Sequence, residues 1–187
     1  QRGRWRGSER AAGMAERRMS VLDLRAYVDT LRTINSDYYS SMGAVCLDIP
    51  GLSAFSSSRG TEYGRRMLWY AADALTELFG NTMLFRIREA EFIAFCPNTT
   101  REVFLGRCGR LWTILQRRYP KQMRIGQSWA NGIFTGEGLA EEANAAMRSA
   151  SAEVSAQDLS VLPGIMHAPA SGGTVRNGQF TVYFQPK

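Results

Sequence analysis

Apolar residues recur along this chain in two rhythms, one helical and one strand-like. Leu22, Leu24, Tyr27, Val28 and Leu31 predict a helix over about residues 20–34, with "MAERRM" as its upstream extension. "MGAVCLDIP" follows as a short buried strand ending at Asp48 and stopped by Pro50-Gly51. From Gly60 to Gly80 the period returns to three and four, through Leu68, Ala71, Ala72, Leu75 and Phe79. Then "LFRIREAEFIAF", Leu84–Phe95, reads as a hairpin. Two apolar runs flank a polar turn, Arg88 to Glu91, with Glu89 and Glu91 at its tip.

Asn98-Thr99-Thr100 supplies a cap, and Phe104, Cys108, Leu111, Leu115 and Tyr119 form the stripe of the next helix. Arg101, Arg107, Arg110 and Arg117 occupy its other face, which is expected to be solvated. "MRIGQSWANGIF" reads as a strand and "LAEEANAAMRSA" as an Ala-rich helix. Residues 151–178, rich in Ser, Ala, Gly and Pro, read as a linker before the strand-like "FTVYFQP". Helices interleaved with strands around one hairpin predict an α/β sandwich with a central mixed sheet of about five strands.

A chain of 187 residues, 44% apolar, can bury one real core, and no apolar run is long enough to cross a bilayer. It starts at Gln1 without a signal-peptide pattern, so it is expected to be a piece of a longer protein. Charge is uneven: residues 1–18 hold six arginines against Glu9 and Glu16, +4 of the net +6. That basic arm is expected to be a solvated linker or helix stub. Trp5 has no repeated aromatic partners for base stacking, so no nucleic-acid partner is expected. Membrane attachment is expected only through a region upstream. Cys46, Cys96 and Cys108 are odd in number and lie in apolar stretches without C-x-x-C spacing. They read as buried free thiols of a cytoplasmic protein.

Several chemistries lack their residues. The sole histidine, His167, falls in the linker, so a histidine-based nucleophile triad has no base in the core. No Walker-type phosphate loop occurs. What remains is carboxylates at chain reversals, Asp48, Glu89 and Glu91, which on adjacent strands could hold Mg²⁺ and orient a nucleoside triphosphate.

In their order and spacing, residues 19–150 resemble the GGDEF domain, the diguanylate cyclase module that makes cyclic di-GMP from GTP. "DLRAY" echoes the family's opening N-R-R-x-F. "DIPGLS", Asp48–Ser53, stands for D-I-D-x-F-K, and "FSSSRGTEYGR" for I-N-D-x-x-G-H-x-x-G-D, with Gly60 and Gly64 on the two glycines. Arg86 matches an arginine two residues before the signature, and the signature itself stands as "REAEF", Arg88–Phe92. Ser128 meets S-x-G, and "ANAAMRSAS" keeps Ala143, Ala146 and Ala150 of a later helix motif.

The resemblance implies a site whose residues this sequence has largely replaced. Of the implied metal ligands Asp48 remains, but Ala90 stands at the third signature position and Pro50 at the other first-strand acid. The implied guanine-reading Asn and Asp are Ser56 and Arg65, and an arginine offers donors where a carboxylate accepts. The implied phosphate-binding lysine is Ser151, and "FGNT" replaces the inhibitory R-x-x-D. Arg88 and Glu89 replace the signature glycines, where a forced left-handed backbone costs about 1–2 kcal/mol per residue.

Asp48, the nucleotide positions Ser56, Gly60, Gly64 and Arg65, and the signature Arg88, Glu89, Ala90, Glu91 and Phe92 are therefore expected to be vestiges. Neither catalysis nor a bound cofactor is expected, and Asp48→Asn is expected to leave stability unchanged. The alternative is an active or GTP-sensing domain using Mg²⁺ and GTP through Asp48 with Glu89 or Glu91. "GQFTVYFQPK" resembles the first strand of an EAL-type phosphodiesterase domain. The implied organisation is an arm at 1–18, a degenerate GGDEF-like domain at 19–150, a linker at 151–178, and at 179–187 the start of a covalently attached EAL-type partner. A homodimer is a further expected assembly.

Overall fold

The computed structural model describes residues 21–150 and the strand Gln179–Val182. The basic arm, the linker with Ser151 and His167, and the last residues of the tail lie outside the described residues.

Helix α1 (Leu24–Leu31) begins at Asp23, whose carboxylate accepts from Ala26 N at 2.9 Å. Strand β1 (Ser41–Asp48) follows, then α2 (Leu52–Arg59) and α3 (Thr61–Phe79). The hairpin strands are β2 (Leu84–Arg86) and β3 (Glu91–Pro97). Helix α4 (Arg101–Arg118) is capped by Thr100, and β4 (Arg124–Asn131) leads to α5 (Gly136–Ser149), capped by Thr135. The tail strand β5 is Gln179–Val182.

The sheet order is β2-β3-β1-β4-β5, and all four ladders are antiparallel. The expected mixed sheet is thus corrected. Among the described residues, parallel pairing is confined to the bridge between Leu22 and Phe85. The reason is topological: the helical crossovers join like-directed strands, β1 with β2 and β3 with β4, but in each case another strand lies between the two, so the neighbours among β1 to β4 run antiparallel.

Strand alternation divides the core into two layers. Val45, Leu47, Phe92, Ala94 and Ile125 pack with Met67, Leu75, Phe104 and Leu111 of α3 and α4. Ala44, Cys46, Ile93, Phe95 and Ala130 pack with Ile34, Leu139 and Ala143 beside α1 and α5. At Gly126 the backbone of α5 lies directly against the sheet. A Cβ there would collide with the Met147 backbone nitrogen and the Ala143 carbonyl. The three cysteines are buried and free, and burial pushes the Cys46 and Cys108 thiols up.

Helix α2 was not legible from the pattern. Only Leu52 of its eight residues is buried, and three consecutive serines, Ser56 to Ser58, hide any apolar period. The first helix is also shorter than expected, and α5 starts at Gly136 rather than Leu139. The arginine face of α4 is only partly solvated: Arg107 is half-buried and donates to Cys96 Sγ at 3.1 Å. No described helix is long and apolar enough to cross a membrane.

Candidate functional site

At one end of the sheet, three charged residues stand side by side on adjacent strands. Asp48 ends β1 and is paired in register with Glu91 of β3 on one side and Arg124 of β4 on the other. Directly opposed residues project to the same face of an antiparallel sheet. By the alternation of β1, that face is the one covered by α1 and α5.

Glu91 is therefore not at the hairpin tip. It is the first residue of β3, buried, and it pairs with Arg88 at 3.0 Å. The bend itself is Arg88 to Ala90, and Arg88 and Glu89 are exposed. Neither of them adopts a positive φ, so the left-handed cost expected for replacing the signature glycines is not incurred. The turn closes instead through bonds from Ile87 N (3.0 Å) and Arg88 N (3.4 Å) to the Glu91 carbonyl. Arg86 clamps it from outside: its Nε donates to the Glu89 carbonyl at 3.0 Å, and its guanidinium lies over the Phe92 ring. Ala90 is half-buried, and its carbonyl accepts from Ile49 N at 3.2 Å.

Arg124 decides the electrostatics of Asp48. It donates to Asp48 Oδ2 from Nε at 3.0 Å and from Nη2 at 2.8 Å. The Asp48 and Arg124 side chains are only 15% and 28% exposed. Two acids facing each other across a ladder repel. Here each has its own guanidinium, Arg124 on Asp48 and Arg88 on Glu91. Sequence reading placed Arg124 merely at the start of a strand. The signal for its role was the sign of its charge at a strand end, which gains meaning only once β4 is known to lie beside β1.

The other expected nucleotide positions gather at the α2–α3 junction, apart from this row. Gly60 carries φ of 91°, ending α2 and opening α3. A Cβ on Gly64 would run into Ser56 Oγ, so these two positions touch each other. Arg65 is exposed and pairs with Glu62 one turn earlier. Ser128 is buried on β4 and donates to the Leu139 carbonyl at 2.7 Å, which ties α5 to the sheet.

Mg²⁺ needs about six oxygens in near-octahedral geometry, usually with one or two carboxylates free to bind it. Among the described residues no group of three His, Cys, Asp or Glu side chains gathers to hold a metal. Asp48 already accepts from the Arg124 guanidinium, Glu91 is ion-paired with Arg88, and the Ala90 side chain has no ligand to offer. The residues present do not fit a metal-bound triphosphate.

Solved structures share this arrangement of strands and helices. The coiled-coil and GGDEF domain of DgcB from Caulobacter crescentus, in complex with c-di-GMP, aligns with a TM-score of 0.59 at 16% identity, over 76% of this chain and 83% of that one. The fold is that of a GGDEF domain. The active GGEEF domain of a diguanylate cyclase from Vibrio cholerae gives 0.57 at 14% identity, over 70% and 90%. Apo LapD from Vibrio cholerae, comprising S helix, GGDEF and EAL, gives 0.54 at 17% identity, over 70% of this chain and 32% of that one. No family model matches the sequence, and no curated protein matches it either. The charged row of Asp48, Glu91 and Arg124 lies beside the Arg88–Ala90 bend of the hairpin.

Proposed function

We propose that this chain is a catalytically inactive GGDEF-fold module of a bacterial cyclic di-GMP signalling protein. It acts in the cytoplasm as a structural or regulatory element on an attached EAL-type phosphodiesterase domain. The observation that carries the reading is the Asp48–Arg124 pair, at 2.8 and 3.0 Å. The one carboxylate left at the implied metal position is neutralised from within the protein. Arg88 does the same for Glu91, Ala90 supplies no ligand, and Arg65 turns its donors to Glu62. The attached phosphodiesterase is supported by the likeness of "GQFTVYFQPK" to an EAL first strand and by the GGDEF–EAL organisation of LapD.

The competing reading is a GTP-sensing or active domain that uses Asp48 with Glu91, and their facing positions in the β1–β3 ladder favour it. It requires both arginines to leave. Calorimetric titration of GTP with Mg²⁺ into the 187-residue chain separates the two. The inactive module gives no saturable heat, and no cyclic di-GMP appears by chromatography at high protein concentration. Product that disappears on Asp48→Ala would overturn the proposal.

A further inference from the structure

Two helices on opposite faces of the sheet carry opposite charge. Helix α4 carries five arginines against Glu102, whereas α5, on the opposite face of the sheet, carries three glutamates against Arg148. Arg110 and Arg117 are exposed, lie two turns apart on one face of α4, and make no ion pair among the described residues. On α5, Glu137 and Glu141 are exposed one turn apart and likewise have no countercharge among the described residues. Like charges at that spacing destabilise a helix by a few tenths of a kcal/mol. Burial, then Cys46, Glu137, Glu141 and Glu91 in that order, hold the Tyr27 phenol up at about 12, so the acidic field of α5 reaches α1.

Gly106 and Gly109 add a second feature to the α4 surface. A Cβ at either would meet nothing within 4 Å, and neither has a positive φ. Neither packing nor backbone conformation within the chain calls for glycine there, although each lowers helix propensity by about 1 kcal/mol relative to alanine. Beside them Val103 is 49% exposed. The result is a shallow, Cβ-free strip that admits a close neighbour, flanked by unpaired positive charge.

We propose that α4 of one copy docks on the α5 face of a second copy, with Arg110 and Arg117 against Glu137 and Glu141. The two surfaces lie on opposite faces of the same sheet, so the contact is heterologous and stacks domains head to tail rather than closing a two-fold pair. A helix of this length, about 27 Å, offers less area than the roughly 800 Å² per partner of a stable interface. Association is therefore weak, concentration-dependent and sensitive to salt. Nucleic acid fits the strip less well, because Trp112 and Tyr119 of this region are buried and cannot stack on bases. A lipid surface would find only Val103 as an exposed large apolar group on α4.

Sedimentation velocity on the 187-residue chain tests this with Arg110→Glu/Arg117→Glu and Glu137→Lys/Glu141→Lys. The parent should associate with rising concentration at low ionic strength and lose the effect in about 1 M salt, where screening falls to about 3 Å. Each double variant alone should associate at least about tenfold more weakly, while an equimolar mixture of the two should recover association. All four positions are exposed, so the variants should melt with the parent; if one does not, Arg110→Gln/Arg117→Gln or Glu137→Gln/Glu141→Gln takes its place and is read by its weakened self-association alone. A parent that stays monomeric at low salt overturns the proposal, as does a mixture that fails to recover. So does loss, in the α4 variant, of parent binding to an oligonucleotide or to anionic vesicles when the parent itself shows no self-association.

Discussion

Replacing Arg124 by Met keeps the aliphatic stem and removes the guanidinium that Asp48 accepts from. What remains is a carboxylate only 15% exposed, directly across the ladder from Glu91, itself 9% exposed. Breaking a fully buried pair costs about 3–5 kcal/mol, and an exposed pair contributes about 0–1. With Arg124 at 28% exposure the loss lies between these limits, at roughly 1.5–3 kcal/mol. For a domain of this size that lowers the melting temperature by about 5–10 °C. Urea unfolding of the parent, Arg124→Met, Asp48→Asn and the double variant measures it directly. Asp48→Asn should cost about 1 kcal/mol, since water still reaches the freed guanidinium. A neutral result would instead match Asp48 as a mere relic. The cycle should return a coupling of about 1–2 kcal/mol. Arg65→Met, at a pair more than half exposed, is the control and should stay within about 0.5 kcal/mol. If Arg124→Met also stays within about 0.5 kcal/mol, the pair does not anchor this end of the sheet electrostatically.

Three further outcomes are expected. Gly126→Ala drives a methyl into the backbone of α5 and should destabilise by about 1–3 kcal/mol in urea titration; a neutral result would mean α5 is free to shift. Tyr27, raised to about 12 mainly by burial, binds its proton more tightly folded than unfolded, so its contribution is full below about pH 10 and is lost as pH rises toward 12. Tyr27→Phe should therefore flatten the fall in stability over that window, and an unchanged alkaline profile would count against it. Deleting residues 176–187 removes the edge strand β5 and should leave stability within about 1 kcal/mol. A larger loss would make that strand integral to this fold and weaken the case for an attached phosphodiesterase.

The amino-acid order alone was enough for whatever depends on neighbours along the chain. The stripe from Phe104 to Tyr119 marked α4, the threonine cap at its start was visible, and the apolar run before Asp48 marked β1. Helix α2 escaped because a run of serines with one buried leucine carries no period. Its existence rests on Gly51 and Gly60 with positive φ at its ends and on packing against α3. Departures from the resembled pattern at the expected site positions were legible as letters, at Ala90, Pro50, Ser56 and Arg65. The partner of Asp48 was not legible. Asp48 and Arg124 are 76 residues apart, and they meet because β4 enters the sheet beside β1 in a register that opposes them. Glu91 moved from an imagined tip into a strand for the same reason, since the β1–β3 ladder extends to its pairing with Asp48. Periodicity is a local property that a sequence carries by itself. Which charges neutralise one another is decided by strand order and register, and those exist only when the sheet has closed.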